Sequence, residues 1–327
     1  MNFRKLIFTA LIVSAAVSCK KDDEGTVKPS LDGVLSIKGL QEYVTPGQTL
    51  TLSPEGITHP EGKELTYYWK VATTAPTACT TKVYDITFTD TLQTCTVYCN
   101  VIADGYAGSS ASSLITVVKG GKNGSIKGID YPQDSLPTND GTYYYKQIGT
   151  QTWIVNNIAE RSSGKPYRNA EVMSDVIGRY YSYSEAKAVC EALSTDTHNW
   201  ALPTLEDWQT LESYIKNEIS TNPQQGKSVA AALMGDATFN TITMWEYWPS
   251  VGDITNSSGF SAIPAGYTNL KGSTFDGVYE YAAFWTATEG DNASDAYCAY
   301  LICDEPDLFT GKRDKESFGA SVRCIRK

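Results

Sequence analysis

Between Leu31 and about Val118, apolar and polar residues alternate in short runs: QTLTLS (48–53), LTYYWKV (65–71), VYDITFT (83–89), TCTVYCNVIAD (94–104) and SSLITVVK (112–119). Clusters of Gly, Pro, Asp and Thr separate them. A period of two marks strands buried on one face, and short strands at this spacing predict an all-β sandwich over residues 31–118. Trp69, in the central run, is expected in its core. Cys95 and Cys99 share one face of a strand about 13 Å apart at ~3.3 Å per residue, too far to bond each other. Cys79 is a candidate partner for either.

The pattern then changes. KGGKNGSIKGIDYPQDSLPTN (119–139) is rich in Gly, Pro and polar residues and reads as an interdomain linker. Asp140-Gly141 is a hairpin signal between extended stretches. Two helices follow. Ser182 and Glu185 form a capping box ahead of AKAVCEAL, and a second helix starts at Thr204 with Asp207 at its third position. Leu205, Trp208, Leu211, Ile215 and Ile219 recur at helical spacing, which places Trp208 on the buried stripe. Glu206 and Asp207 in the first turn suit the helix dipole. Beyond residue 235 the chain is Gly-, Thr- and aromatic-rich and predicts short strands and long loops.

The first residues are a leader rather than fold. Arg4 and Lys5 precede an apolar run from Leu6 to Val13 that is too short for a membrane span. Ala16 and Ser18 before Cys19 resemble a lipobox, so residues 1–18 are expected to be a lipoprotein signal peptide. Cys19 is then lipidated, and 19–30 form the tether. The run CKKDDEG resembles the export signal of Bacteroidota-type surface lipoproteins, which implies an outer-membrane anchor facing the cell exterior. Several acyl chains hold a protein on a membrane far more firmly than one. Cleavage removes two of 27 basic and none of 37 acidic residues, shifting the formal charge from −10 to −12. So acidic a chain repels phosphate backbones, which argues against nucleic-acid partners. Seven cysteines remain for an oxidising compartment, an odd number that leaves at least one unpaired or bonded between chains.

Six stretches in order carry a resemblance: IGTQTWIVNNI (148–158), YYSYSEAKAVC (180–190), NWALPTLEDW (199–208), GFSAIPAGY (259–267), FWTATE (284–289) and FGASVRCIRK (318–327). Together they resemble the FISUMP family, the Fibrobacter succinogenes major paralogous domain, over residues 140–327; the preceding sandwich is similar to Ig-like or PKD-like modules. The resemblance implies an α+β domain related to C-type-lectin-like and formylglycine-generating-enzyme-like folds, with two helices flanking small antiparallel sheets. It also implies a disulfide between Cys190 and Cys324. Where the family carries a histidine between Trp and Leu-Pro-Thr, this chain has Ala201. A methyl group cannot do acid–base work, so the stretch HNWALPTLEDWQTL (198–211) marks the fold.

Little else points to catalysis. His59 and His198 are the only histidines, and a nucleophile–base pair has little to draw on. QQGKS (224–228) lacks the upstream glycine of a phosphate loop and a preceding strand, and reads as a helix start. DNASD (291–295) has Ala293 at a calcium-ligand position. EPD (305–307) is similar to a lectin calcium motif but lacks its partner, and reads as a hairpin turn. Cys298 and Cys303, five residues apart, face opposite sides of a straight strand. No metal or cofactor is implied. What remains is TMWEYWPS (243–250). Trp245, Tyr247 and Trp248 there are candidates for ligand contact, because aromatic faces stack on sugar rings and loops on a rigid scaffold carry binding. Trp248 approximates a family position and is expected in the core, whereas Trp245 and Tyr247 stand as additions. The sequence thus predicts a non-enzymatic surface lipoprotein that binds an extracellular glycan. A structural subunit or adhesin working through a host or neighbouring surface protein is the alternative, and an enzyme on the same scaffold a more distant one.

Overall fold

The computed structural model describes residues 27–72, 80–91, 93–121, 124–222 and 226–327. Two compact units divide at Val118/Lys119. Signal peptide, Cys19 and Cys79 lie outside the described residues. Among those described, no helix is long and apolar enough to cross a membrane.

The first unit consists of strands: β1 (Asp32–Lys38), β2 (Tyr43–Val44), β3 (Thr49–Thr58), β4 (Thr66–Val71), β5 (Tyr84–Thr87), β6 (Thr94–Ile102) and β7 (Ser109–Val117). They form a three-stranded sheet, β1-β3-β5, and a four-stranded one, β2-β7-β6-β4. Alternation does what it predicts. In β6, Cys95, Val97, Cys99 and Val101 point inward and are buried, while Thr94, Tyr98 and Ile102 face out. Inward residues of both sheets meet in one cluster around the fully buried Trp69, whose indole N–H donates to the Thr81 carbonyl at 3.1 Å. Cys95 and Cys99 are free and buried, and burial pushes the Cys99 thiol up to about 12.

The second unit opens earlier than the composition suggests. The stretch 119–139, expected to be a linker, belongs to it: Ile126–Lys127 pairs with Thr238–Phe239, and Ser135–Pro137 with Thr142–Ile148. Its glycines serve close packing. A Cβ on Gly120 would lie 2.3 Å from the Asp175 Cβ, nearer than carbon atoms approach. The hairpin does form at Asp140-Gly141, with the Thr138 amide donating to the Gly141 carbonyl at 2.7 Å.

Both expected helices are present. In α1 (Tyr183–Ala192) Ser182 and Glu185 complete the capping box, and in α2 (Leu205–Thr221) Thr204 and Asp207 do the same. Ser228 caps the five-residue α3 (Val229–Leu233), as QQGKS suggested. Trp208, Leu211 and Ile215 of α2 pack with α3 in one core cluster, whereas Ala186, Val189 and Cys190 of α1 belong to another.

Two sheets divide these cores. One is the antiparallel meander Tyr281–Glu289, Asp295–Ile302, Phe309–Asp314. Successive residues of its first strand serve opposite clusters: Ala282 and Phe284 the α2 side, Ala283 and Trp285 the α1 side. The other carries Gln151–Ile154 and Ile325–Arg326, where Trp153 and Ile325 face α2 while Ile154 faces α1. The Cys190–Cys324 disulfide ties α1 to the approach of the last strand across 134 residues, with Cα atoms 5.5 Å apart.

Candidate functional site

The aromatic segment divides by burial. Trp245 is 2% exposed, sits in the α2-side core and donates its indole N–H to the Ala262 carbonyl at 2.8 Å. This corrects the expectation that Trp245 meets a ligand: it is the root of the loop. Tyr247 and Trp248, at 62% and 39% exposure, are the parts that project, so the expectation that Trp248 lies in the core is also corrected. The turn beneath them closes when the Val251 and Gly252 amides donate to the Trp248 carbonyl at 3.1 and 2.9 Å. It is fastened on both flanks. The Ser250 hydroxyl donates to the Asp304 carbonyl at 2.5 Å, and the Ser228 hydroxyl to the Val251 carbonyl at 2.8 Å. A pair of exposed rings on so well-anchored a turn is pre-organised, which lowers the ordering cost of binding. Cys303 lies nearby; burial, then the charges of Asp304, Glu280 and Glu246, push its thiol up to about 11.

A second feature has no counterpart in the sequence reading. A cavity of about 410 Å³ opens in this unit, walled by Ile126, Ile129, Val155 and Ile263 among others. Arg323 is part of its lining and is itself closed from solvent, at 0% exposure. Its Nε donates to Asn157 Oδ1 at 2.8 Å and its two terminal nitrogens to the carbonyls of Phe260 and Ser261, each at 3.0 Å. The guanidinium also stacks on Phe260 at 5.0 Å and Phe284 at 5.5 Å. Among the described residues it has no carboxylate in ion-pair range. Burial pulls its pKa down to about 9, which leaves it cationic at neutral pH. Ser261 presents its carbonyl from a left-handed backbone (φ 56°), held there by the Asn256 side chain, which accepts from the Ser261 amide and donates to its hydroxyl, both at 2.9 Å.

Tyr131 and Tyr144, stacked with ring centroids 4.5 Å apart, form another side of the cavity. Asn156 fixes that strand from both ends of its amide, accepting from the Tyr144 amide at 2.8 Å and donating to the Thr142 carbonyl at 3.0 Å. Burial raises the Tyr131 hydroxyl, and the Arg323 charge draws it back in part. Asp140 and Asp175 also line the space and share Arg161, which lies 2.6 Å from Asp175 and 3.6 Å from Asp140. The sequence held one signal for this site: Arg323 stands between Val322 and Cys324 in the last motif, a charge between residues destined for the core.

The remaining candidates are structural in character. Trp200 and Ala201 form a two-residue strand paired with Arg326 and Ile325. His198 stacks against Trp200 at 6.3 Å, and the Nδ1 of the buried His59 accepts from the Glu61 amide at 3.0 Å. Cys298 is fully buried on the α1 side while Cys303 packs against the α2 side, so the two face apart, as their spacing implied. EPD forms the turn after Asp295–Ile302, with the Glu305 amide donating to the Ile302 carbonyl at 3.2 Å. Among the described residues no three His, Cys, Asp or Glu side chains converge as a metal site.

No curated protein matches the chain. The family model of the Fibrobacter succinogenes major domain matches residues 147–326, a span that includes both helices, the disulfide and the meander. More than half of the chain is thereby covered, and the protein is a member of the Fibrobacter succinogenes major domain family.

Proposed function

We propose that the protein is a lipoprotein of the outer membrane, anchored through Cys19, whose C-terminal domain recognises an extracellular glycan without catalysing a reaction on it. The observation that carries this reading is the exposed Tyr247–Trp248 pair on its fastened turn. Ring faces of this kind stack on the apolar faces of sugars. Two helices on opposite sides of small antiparallel sheets also support kinship with C-type-lectin-like folds, and the paired sheets of the first unit support an Ig-like or PKD-like spacer. The test is a screen of the full chain in detergent against glycans and polysaccharides, with and without calcium, each hit repeated on Tyr247→Ala/Trp248→Ala. Binding lost in the double variant supports the site; a blank screen rejects it. The anchor is tested separately: Cys19→Ala should abolish labelling by radioactive palmitate, and persistent labelling refutes the lipidation.

One feature favours the adhesin reading. The outer face of the four-stranded sheet exposes Tyr68, Tyr98, Ile102 and Leu114, with Lys70 the single charged side chain among the outward positions of β4, β6 and β7. Depletion of charge is the compositional mark of an interface centre. Cell-surface crosslinking from Tyr98→Cys would recover a discrete protein partner if this face is the functional one, and none if the aromatic turn is.

A further inference from the structure

The cavity above Arg323 is separate from the aromatic turn and carries its own charge pattern. Its lining includes a buried cation that no acid among the described residues neutralises: three hydrogen bonds to uncharged acceptors serve a guanidinium with five N–H groups. Beside it stands Tyr131, half-buried, whose hydroxyl donates no hydrogen bond among the described residues and lies within the field of Arg323. In a low-dielectric interior such a field reaches well beyond contact distance. Asp140 and Asp175, also in the lining, present two carboxylates to one cation, Arg161, while Glu171, which approaches Arg161 at 3.6 Å, is itself held by Arg179 at 2.7 Å. Two lining carboxylates thus face one guanidinium, and the exposed Lys119 is the remaining charged group of the lining. The rest of the lining mixes apolar side chains such as Ile126, Ile129 and Ile263 with polar ones such as Asn156 and Ser174. A volume of about 410 Å³ falls in the range of small-molecule sites.

We propose that this cavity binds a small zwitterion, its carboxylate accepting a hydrogen bond from the Tyr131 hydroxyl in the field of Arg323 and its ammonium group facing Asp140 and Asp175. A free amino acid and an amino-sugar acid share this chemistry. Arg323 acts through its charge and by holding Asn157 and the Phe260–Ser261 backbone, not by touching the ligand.

The test is calorimetry on the full chain in detergent. The probes are a panel of free amino acids and neuraminic acid, each against its N-acetylated form and its amide. Tyr131→Phe keeps the stack on Tyr144 and removes only the hydroxyl, and Asp175→Asn keeps the shape of the acidic side. Binding of the free zwitterion should weaken about tenfold or more when either end is blocked. Tyr131→Phe should weaken the zwitterion and its N-acetylated form alike, whereas Asp175→Asn should weaken only ligands that carry the amine. Which of the two sources binds tells them apart, and either supports the site. Heats absent for every free zwitterion at millimolar concentration overturn the proposal. So does equal binding of free, acetylated and amidated forms. Tyr247→Ala/Trp248→Ala should leave this binding unchanged, so its outcome is independent of the glycan screen.

Discussion

The two units of this chain are held together by different means. In the first, strands such as β4 and β6 alternate, one core collects the inward side chains of both sheets, and the buried polar residues among those described are His59 and Thr116. In the second, the strands Tyr281–Glu289 and Asp295–Ile302 bury side chains on both faces, and Arg179, Arg323, Asn157, Thr268 and Ser125 lie inside. Among the described residues, all seven non-glycine positions with left-handed backbone, from Arg168 to Tyr279, belong to the second unit. Such conformations persist only where surrounding bonds over-determine them. The first unit is a problem in apolar packing; the second is a problem in fixing long loops, solved with buried hydrogen bonds and one disulfide.

The strongest way to break that contrast is to remove the central side chain of each. Trp69→Ala should cost the first unit about 3–5 kcal/mol through the cavity it leaves. Arg323→Met, nearly equal in volume and free of charge, should cost the second unit about 3–5 kcal/mol, because Asn157 Oδ1 and the carbonyls of Phe260 and Ser261 lose their donor. Hydrogen exchange resolved by peptide would report each unit separately. If Arg323→Met is neutral, the buried cation is not what fixes those loops. Removing the disulfide with Cys190→Ala/Cys324→Ala should cost about 2–4 kcal/mol, again in the second unit alone.

This difference also decides what could be read from the sequence. Alternation is a local signal, and it located β3 to β7 within a few residues. The two capping boxes and the α2 stripe are equally local and equally visible. A strand such as Tyr281–Glu289, with Phe284 and Trp285 serving opposite cores, shows no alternation, so it could only be read as part of a region of short strands and loops. The Cys190–Cys324 bond came from the family resemblance, since no local pattern relates residues 134 positions apart. Family position points to Trp248 as the core residue and to Trp245 as an addition, but the structure reverses the two, because the Ala262 carbonyl, a contact between segments, makes Trp245 the root. Arg323 went unread for the same reason: its acceptors lie at 157, 260 and 261.

The glycines of 119–139 have the composition of a linker but the surroundings of a core, and a smaller perturbation sharpens the point. In a flexible linker, Gly→Ala is neutral or stabilises by about 0.4–1 kcal/mol through the unfolded chain. At Gly120 a methyl group would meet the Asp175 Cβ at 2.3 Å, so Gly120→Ala should instead destabilise the second unit by about 1–3 kcal/mol. Thermal unfolding of that variant separates the two readings by sign.

The gentlest probe is acid. Burial by itself would raise the Asp207 carboxyl, but Lys327 at 2.6 Å and the Thr204 amide and hydroxyl, each at 2.7 Å, hold it below its ordinary 3.8. Burial opposes ionisation of Glu185 as well, and bonds from the Ser182 and Gly164 amides and the Ser182 hydroxyl outweigh it, so its carboxyl lies below 4.5. A group whose folded pKa is depressed contributes stability that is fully present above its unfolded value and is lost as the pH falls through its folded one. Both groups cap helices of the second unit, one on each side of the sheets. In the first unit the carboxylate with a lowered pKa is Glu61, a fully exposed group screened by solvent. The second unit should therefore lose stability below about pH 4.5 while the first changes little. Asp207→Asn should flatten part of that dependence, at a cost near neutral pH of about 1 kcal/mol for the weakened cap. Equal acid sensitivity of both units would show that surface charge at large governs the response, and that the caps do not.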